Sequence, residues 1–419
     1  MIIGKGLDEG YLTNDEVHEI VRDGLNSLAV DSKRVLIIIP DSTRTMPMPI
    51  MFELFEDLLG NRVKKLDYLV ALGTHQPLNA SQLSNLVGKQ VIDWKAGESR
   101  IFNHEWQKPE TFVCVGTIPA NEIELITKGL LNQDVPVNVN KLIFDYDQLI
   151  ICGPVFPHEV VGFSGGNKYF FPGIAGPEII NFTHWLGAII TNYEVIGSGS
   201  TPVRAIIDRA AAFINLPVAC FGLVVTHDGL AGLYFGSPQE AWQASAKLSA
   251  QKHIVFVEKP FQRVLSIMPE MYDDLWTAAK GMYKLEPVVA DGGEVVIYAP
   301  HIHEVSYTHG KLIDEIGYHC RDYFLSQWDQ FKDYPGSVLA HSTHVKGLGQ
   351  YNPDTGIETA RIRVTLSSGI PVERCHHINL GYLNPDEVDI QKWKGHEAEG
   401  ILVVPQAGEM LYRVKSKSL

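Results

Sequence analysis

The sequence predicts an α/β protein with two domains and mostly parallel sheets, and three observations support this prediction. The chain has 419 residues, which is longer than most domains with a single hydrophobic core, so more than one domain is expected. Apolar residues make up 45% of it and charged residues 20%, so it can bury large cores. Short apolar runs alternate with amphipathic stretches of helical length, which is the rhythm of βαβ units.

The first half of the chain shows this alternation most clearly. The run VLIII at 35–39 is branched and fully apolar, as in a buried parallel strand, and Pro40 ends it. A helix over 14–28 precedes it, with Asn14 as the candidate N-cap. The further elements predicted here are strands at 66–72 and 147–152, and helices at about 48–59, 81–87, 202–213 and 239–250.

The alternation restarts after the stretch 253–270, which we interpret as the crossing between the two halves. The tail, GILVVPQAGEMLYRV, is typical of a hairpin. The predicted domains are therefore 1–257 and 258–419, and the tail after about residue 400 could return to the first domain. The elements predicted in the second half are strands at 264–268, 294–299 and 337–341, with helices near 274–283 and 309–318.

Charge and cysteine content narrow the functional classes. The formal net charge of −14 argues against a nucleic-acid-binding surface, which needs basic stripes. It leaves open a small anionic substrate, because a single Arg or Lys can act inside an acidic protein. The five cysteines show no CxxC spacing, and the N-terminus has no apolar signal region. We therefore expect a cytoplasmic protein without disulfides or membrane spans.

Several unusual polar groups directly follow predicted strands. In an open parallel sheet, ligands bind outside the carboxyl ends of the strands. We therefore expect these loops to face one active-site cleft between the two domains. The groups are Asp41, Ser42, Thr43 and Arg44 after 35–39, His75 after 66–72, His158 after 147–152, and His301, His303, His341 and His344 in the second half.

Each of these groups also has a purely structural interpretation. Asp41, Ser42 and Thr43 can cap a helix, although the same loop would be an anion site at a helix N-terminus. Single histidines after strands are often surface or hydrogen-bonded structural residues. The HIH and HSTH pairs could bind a metal, and they equally suit solvated loops.

The densest polar segment is 157–185, PHEVVGFSGGNKYFFPGIAGPEIINFTHW. Its GFSGGNK part is similar to a phosphate-cradling glycine loop, but it lacks the GxxxxGK[ST] spacing. His158, Lys168 and His184 stand in that order within a glycine-rich, aromatic-lined stretch. The alternative interpretation is a long glycine-rich connection with ordinary polar residues.

These motifs together resemble the signature of the nickel-pincer-nucleotide-dependent lactate racemase family. In that family a histidine, a GFSGGxK lysine and a further NH or TH histidine recur in this order. The family's D-x-T-R and G-T-H motifs match residues 41–44 and 73–75. The resemblance runs from about residue 36 to 281, and the C-terminal third matches more loosely.

The resemblance implies a cofactor and a role for each matched residue. The cofactor is the nickel-pincer nucleotide, a pyridinium-3-thioamide-5-thiocarboxylic acid mononucleotide carrying nickel. It would be covalently linked to Lys168, with His184 as the protein ligand to nickel, and cofactor-maturation proteins would be partners. His75 and His158 would be the paired general acid/bases, and Arg44 would bind the substrate carboxylate. The residues expected near the cofactor are Asp41, Ser42, Thr43, Gly165 and Gly166.

The activity that the resemblance implies is racemisation or epimerisation of a 2-hydroxy acid by reversible hydride transfer. One histidine removes the hydroxyl proton as hydride leaves the substrate, and the other supplies a proton on the opposite face. Imidazole has an unperturbed pKa of about 6.5, so it can serve both directions near neutral pH.

The second domain departs from the family pattern. Lactate racemases carry Tyr-Gln-x-x-Lys there, whereas this chain has Trp276 and Thr277 followed two residues later by Lys280. Lys280 could pair with the substrate carboxylate, and the other two are substrate-binding candidates. A solvated lysine near a helix end is the alternative for Lys280. The replacements favour a substrate larger than lactate, such as a sugar acid. In the first domain, Thr45 stands where the family often has proline after the arginine.

Two other functional classes stay open. A nicotinamide-type hydride-transfer oxidoreductase would need a GxGxxG strand–turn–helix fingerprint, which the sequence lacks. A nucleotide- or anion-binding pseudoenzyme could use the same loops, but the joint presence of His75, His158, Lys168 and His184 disfavours it. A zinc deaminase is disfavoured because the H-x-E and P-C-x-x-C pattern is absent.

Overall fold

The computed structural model describes residues 2–415, and these form two compact units. The first unit runs to Phe156 and includes the segments Phe163–Ile180 and Gly199–Lys252. The second comprises Pro157–Gly162, Asn181–Ser198 and the chain from His253 onward. The units differ from the predicted ranges 1–257 and 258–419, because two short segments of the first half and the residues 253–257 belong to the second unit. The tail after residue 400 also lies in the second unit.

An eight-stranded mixed sheet forms the centre of the first unit. Its order is β1-β12-β11-β8-β2-β3-β5-β4, and the five strands from β11 to β5 are mutually parallel. The edge strands pair in antiparallel fashion. The strands are β1 (Ile3–Gly6), β2 (Arg34–Ile39), β3 (Lys65–Val70), β4 (Lys95–Ala96), β5 (Ser99–Asn103), β8 (Gln148–Pro154), β11 (Val218–Thr226) and β12 (Gly229–Gly236).

Helices and one ribbon complete the first unit. Helix α1 (Asn14–Asn26) begins at the predicted residue, but its N-cap is Thr13 rather than Asn14, because Thr13 forms a reciprocal capping box with Glu16. An antiparallel ribbon joins β6 (Phe112–Ile118) to β7 (Val135–Asn140). The other helices are α2 (Met48–Leu59), α3 (Ala80–Val87), α4 (Ala120–Thr127), α7 (Pro202–Ala211) and α8 (Pro238–His253).

The chain passes between the units near residues 157–198. Two short strands lie there, β9 (Pro157–His158) and β10 (Gly162–Phe163), followed by helices α5 (Pro177–Ile190) and α6 (Asn192–Val195). Helix α5 begins in the first unit and continues in the second. The predicted segment 157–185 is therefore divided between the units. Lys168 belongs to the first unit, whereas His158 and His184 belong to the second.

A five-stranded parallel sheet forms the centre of the second unit, in the order β19-β18-β15-β14-β20. Its strands and those of two smaller sheets are β13 (Ile254–Val257), β14 (Phe261–Ile267), β15 (Val289–Ala299), β16 (Gly349–Asn352), β17 (Ile357–Ala360), β18 (Arg363–Ser368), β19 (Gly381–Tyr382), β20 (Ile401–Val404) and β21 (Leu411–Val414). The helices are α9 (Leu275–Ala278), α10 (Lys280–Tyr283), α11 (Gly310–Ile316), α12 (Arg321–Ser326), α13 (Trp328–Phe331), α14 (Gly336–Lys346), α15 (Val372–His377) and α16 (Ile390–Trp393).

Two predicted elements of the second half are wrong. The run at 337–341 lies in helix α14, in which Ser337–Val345 are all buried. A short apolar run that is buried on every side carries no periodicity, so it cannot be told from a buried strand. The tail is also no hairpin, since β20 pairs with β14 and β21 pairs with β13, both in parallel. Among residues 2–415, no helix is both long and apolar enough to cross a membrane.

Candidate functional site

In the first unit, an aspartate and a histidine meet at the carboxyl end of the sheet. Strands β2 and β3 are parallel neighbours, so the loops that follow them leave the sheet at the same edge. Asp41 and His75 stand on these two loops, and the His75 Nδ1 lies 2.5 Å from the Asp41 Oδ2. The second carboxylate oxygen accepts the Thr43 hydroxyl at 2.6 Å and the Thr43 backbone N–H at 3.0 Å. The Asp41 carboxylate is therefore fixed by both of its oxygens.

The charge state of Asp41 follows from this geometry. Burial alone would raise the pKa of the Asp41 carboxyl, but the charge and hydrogen bond of His75 outweigh burial and hold that pKa well below its usual range. Arg44 adds a further favourable charge. Asp41 is thus an anion, which assigns the proton on the facing nitrogen to the His75 Nδ1. The Nε2 of His75 is then the nitrogen that can exchange a proton.

Arg44 lies on the same loop as Asp41 and is half-buried. Its guanidinium donates to the Thr43 hydroxyl at 3.2 Å and lies 5.6 Å from the centre of the Phe156 ring. Ser42, between them, is exposed. The loop therefore presents one cation beside one fixed anion, and a planar guanidinium is suited to a carboxylate.

Two residues that sequence reasoning missed, Arg204 and Trp242, donate hydrogen bonds to backbone carbonyls of the GFSGGNK loop. Arg204 is 4% exposed, donates to the backbone carbonyls of Phe163 and Gly165, and stacks 4.3 Å from the Trp242 ring. The Trp242 indole N–H donates to the Ser164 carbonyl at 3.0 Å. Burial lowers the pKa of Arg204 to about 10, which leaves it charged. No sequence pattern marks Arg204, since it stands beside the apolar stripe of α7 rather than in a motif.

The two central glycines of the loop cannot carry side chains. Gly165 has a φ of 85°, and a Cβ there would lie 2.5 Å from the Val155 side chain. Gly166 has a φ of 59°, and a Cβ there would lie 2.9 Å from the Trp242 Cβ. Both a left-handed backbone and a close approach therefore require glycine. Both glycines are buried, and we call this close-packed turn, Gly165–Gly166, the cradle.

Lys168 follows this cradle on a short 3₁₀ turn, Gly166–Tyr169, and is half-buried. Its backbone N–H donates to the Gly165 carbonyl, and its carbonyl accepts the Gly173 N–H at 3.0 Å. The Gly173 carbonyl in turn accepts the Gly73 N–H at 2.8 Å, two residues before His75. The first unit thus joins the predicted lysine loop and the predicted histidine loop through consecutive backbone hydrogen bonds.

In the second unit, His158 lies beside a carboxylate that sequence reasoning did not select. The buried His158 accepts the Val160 backbone N–H on Nδ1 at 3.2 Å, and its neighbour Glu159 lies 3.4 Å from the same nitrogen. Burial would raise the pKa of Glu159, but the charges of His158 and Lys280 outweigh burial and lower that pKa well below its usual range. The second unit therefore brings His158, Glu159 and Lys280 into one electrostatic group.

Lys280 is buried at the start of α10, so the solvated alternative does not describe it. Its ammonium group donates to the Thr277 carbonyl at 3.2 Å and lies 4.7 Å from the centre of the Tyr272 ring. The Thr277 hydroxyl is used locally, because it donates to the Asp274 carboxylate at 2.8 Å within the N-cap of α9. Thr277 therefore positions Lys280, while the ammonium group carries the charge.

Trp276 belongs to an aromatic stack. Its ring lies 4.0 Å from the His341 ring and 4.6 Å from the His309 ring, measured between centroids. The His341 Nε2 lies 3.2 Å from the Tyr318 hydroxyl. Since His341 stands on helix α14, it follows no strand, contrary to the prediction, and its approach to Trp276 could not be read from sequence.

The remaining predicted histidines fall into two groups. His184 is half-buried on α5 and lies within electrostatic range of the buried His344, which stands on α14 rather than after a strand. His301 and His303 do follow β15, and each reaches a backbone carbonyl, of Tyr272 at 3.0 Å and of Gly369 at 3.4 Å. Those two contacts are structural.

No group of three or more His, Cys, Asp or Glu side chains within residues 2–415 is arranged to hold a metal ion. A metal bound through one histidine would need its other ligands from a bound organic group. Lys168, half-buried at the end of the buried Gly165–Gly166 turn, could provide one amine to such a group. These residues fit a lysine-linked nucleotide.

Comparison with known sequences identifies one matching family model. The family model described as the lactate racemase N-terminal domain matches residues 16–197. The lactate racemase of Thermoanaerobacterium thermosaccharolyticum is 25% identical over 280 residues, which cover 66% of this chain and 62% of that enzyme. The lactate racemase of Lactiplantibacillus plantarum is 28% identical over 166 residues, or 39% of this chain and 35% of that one. The alignments thus span less than two thirds of either relative.

Solved structures match along nearly the whole chain. A Thermotoga maritima protein from a structural genomics programme superposes with a TM-score of 0.90 at 32% identity, covering 98% of this chain and 100% of its own. The lactate racemase apoprotein of Thermoanaerobacterium thermosaccharolyticum superposes with a TM-score of 0.70 at 18% identity, covering 98% and 95%. These matches agree with the α/β fold of parallel and mixed sheets described above. The family match and the curated relatives together place residues 16–197 of the chain in the lactate racemase family.

Proposed function

We propose that this protein interconverts the stereoisomers of a 2-hydroxy acid at C2, using a nickel-pincer nucleotide linked to Lys168. The observation that supports this most is the Asp41–His75 pair, with Nδ1 and Oδ2 2.5 Å apart. An oriented, proton-exchanging imidazole beside Arg44 suits a substrate that carries both a hydroxyl and a carboxylate. Family membership supplies the reaction class, and its relatives are named as lactate racemases.

The chain's residues fit that cofactor. The Lys168 amine would form the covalent link beside Gly165 and Gly166, and His184 would be the protein ligand to nickel. When bound, the cofactor supplies a hydride acceptor for C2 of the hydroxy acid. Arg204 and Trp242 would keep the cradle in shape before and after loading.

The proton steps belong to the chain itself. The His75 Nε2 accepts the substrate hydroxyl proton, and Asp41 stabilises the imidazolium that results by accepting from Nδ1. Arg44 binds the substrate carboxylate, which fixes C2 relative to His75. Asp41 contributes without changing its own protonation, because its pKa lies far below neutrality.

The second histidine serves the opposite stereoisomer. In its cationic form, with both ring nitrogens protonated, His158 would give the Nε2 proton to a keto oxygen and become neutral. Glu159 stabilises the cationic form that His158 passes through in the reverse direction. Lys280 supplies a buried positive charge in the same group for the anionic substrate.

The decisive experiment joins the covalent link to the reaction. Protein produced together with the cofactor-maturation proteins is expected to show a mass increase on Lys168, one nickel per chain, and epimerisation of a 2-hydroxy acid by chiral chromatography. Lys168→Ala is expected to lose all three. Lys89→Ala is the matched control, since Lys89 lies in the first unit but outside the glycine loop.

Two outcomes would overturn the proposal. Fully matured wild-type protein without adduct or nickel would remove the cofactor. Retention of full epimerase activity by Lys168→Ala would remove the covalent link. Oxidation of the hydroxy acid with a free nicotinamide cofactor, without change of stereochemistry, would favour the oxidoreductase alternative instead.

A further inference from the structure

The second unit contains a small polar cavity that the proposed proton steps do not use. It is about 30 Å³ in volume, and residues of α5, α12 and α14 and the adjoining loops line it. Three residues that line it each have a buried side-chain atom without a hydrogen-bond partner among residues 2–415: the Thr191 Oγ1, the Asn192 Nδ2 and the His344 Nε2. Asn192 is 2% exposed and His344 is 4% exposed.

Leaving three such atoms unpaired is unfavourable, because a buried donor or acceptor loses its bonds to water and gains nothing in return. The backbone at the same place is strained, since Thr191 has a φ of 90°, which a β-branched residue rarely adopts. Strain and unpaired polar atoms together are typical of a site that a ligand completes.

Size and chemistry define what the cavity can take. A volume of 30 Å³ holds about two water-sized groups, so it fits the end of a molecule rather than a whole one. The Asn192 amide donates, and the Thr191 hydroxyl and the His344 Nε2 can donate, whereas the Arg321 guanidinium is already paired with Asp322 and the Ile189 carbonyl. A group with two oxygen acceptors, either a carboxylate or a pair of hydroxyls, matches this wall.

One residue that lines the cavity, His344, interacts electrostatically with residues of the proposed reaction site. His344 lies within electrostatic range of His184, the proposed nickel ligand, and of Glu159, the neighbour of His158. Thr191 and Asn192 directly follow α5, which carries His184. All of these residues belong to the second unit.

We infer that this cavity is the subsite for the far end of the substrate, and that it selects 2-hydroxy acids whose chain carries a carboxylate or paired hydroxyls beyond C2. The inference rests on the proposed function and deepens it. A methyl group, as in lactate, leaves the Asn192, Thr191 and His344 atoms unpaired, so lactate is expected to be a poor substrate.

The test uses the cofactor-loaded enzyme and pairs of 2-hydroxy acids of equal chain length, with four, five and six carbons. In each pair, one acid has an apolar chain and the other carries hydroxyls or a terminal carboxylate. For at least one chain length, the polar acid is expected to exceed its apolar partner in kcat/KM by tenfold or more, about the value of one net hydrogen bond.

Two variants assign this preference to the cavity. Asn192→Leu replaces the amide by an apolar group of similar size, and Thr191→Gly removes the hydroxyl while suiting the left-handed backbone, so it should fold. Both are expected to reduce the polar-to-apolar ratio of kcat/KM at least fivefold. Asn132→Leu, the same change at an exposed position of the first unit, is the control.

The possible failures are distinguishable. If apolar and polar acids are epimerised equally well, the subsite inference falls and the proposed function stands. If no hydroxy acid in the panel is epimerised by nickel-loaded protein, the proposed function falls first. If the ratio is unchanged in both variants but calorimetry shows that Asn192→Leu abolishes inorganic phosphate binding, the cavity holds a separate anion, which also overturns the inference.

Discussion

The two units differ in how the buried polar groups of their candidate site residues are paired. In the first unit, the loop carboxylate of Asp41 uses both oxygens, and the glycine cradle is hydrogen-bonded to Arg204 and Trp242. In the second unit, His344 and Asn192 are buried with side-chain nitrogens that no described residue pairs. Apart from the Arg204 Nε, the groups named here for the first unit are paired within the protein, whereas those named for the second unit are positions that a ligand would complete.

This difference indicates that the paired groups serve catalysis and that the unpaired groups serve substrate specificity. Groups that are fixed before a ligand arrives lower the cost of reaching a reactive geometry, and Asp41–His75 is arranged in this way. Groups that are left unpaired discriminate strongly, because they penalise any ligand that does not satisfy them. Each prediction below tests one side of this contrast.

The largest effect is expected at the fixed pair. His75→Gln removes the proton-exchanging nitrogen and should lower kcat by about 10²- to 10⁴-fold, the usual contribution of a general acid/base. The loss should appear with either stereoisomer as substrate, because both histidines act in each complete turnover. Initial rates by chiral chromatography measure it, with His227→Gln, an exposed histidine of the same unit, as the control. A kcat within threefold of wild type would exclude His75 from the reaction.

The next effect concerns the cradle. Gly165→Ala forces a Cβ to within 2.5 Å of the Val155 side chain at a φ of 85°, so strain and collision together should cost about 2–4 kcal/mol of stability. Gly129→Ala is the matched control, because Gly129 has a φ of 82° with open space around it. It should cost only about 1 kcal/mol. Urea unfolding measures both, and equal costs would show that the cradle is not close-packed.

Asp41→Asn should have a smaller effect than loss of His75. The amide can still accept a hydrogen bond from the imidazole, but it carries no charge to stabilise the imidazolium. We expect kcat to fall by about 10- to 100-fold with KM within a factor of about three, because Asp41 touches His75 and Thr43. A change in KM alone would show that Asp41 binds substrate or cofactor rather than positioning His75.

The sequence was sufficient for the parallel sheets and for the histidine loops. The branched apolar run of β2 and the strand before His75 identify neighbouring strands, and the carboxyl-end rule places their loops together. The sequence was not sufficient to predict the role of Arg204, because this side chain donates to backbone carbonyls about 40 residues away in sequence. It failed for α14, because burial on every side removed the periodicity that separates helix from strand.

The smallest effect tests the contrast between two buried histidines. Burial lowers the pKa of His104 in the first unit to about 4, as it does for His344 in the second. His104 is paired on both ring nitrogens, since Asn140 donates to Nδ1 at 3.1 Å and Nε2 meets the Ala175 carbonyl at 3.2 Å. The neutral ring is therefore built into the fold of the first unit.

Because the pKa of His104 is lower in the folded state than in the unfolded chain, its contribution is present above about pH 6.5 and is lost as pH falls towards 4. Between pH 8 and 6, this histidine alone should remove about 1 kcal/mol of stability. His104→Gln should lose correspondingly less over that interval, whatever its stability at pH 8. Urea midpoints at several pH values measure the difference, with His227→Gln as the exposed control. If the full pH dependence persists in His104→Gln, then protonation of this buried ring does not limit the stability of the first unit in acid.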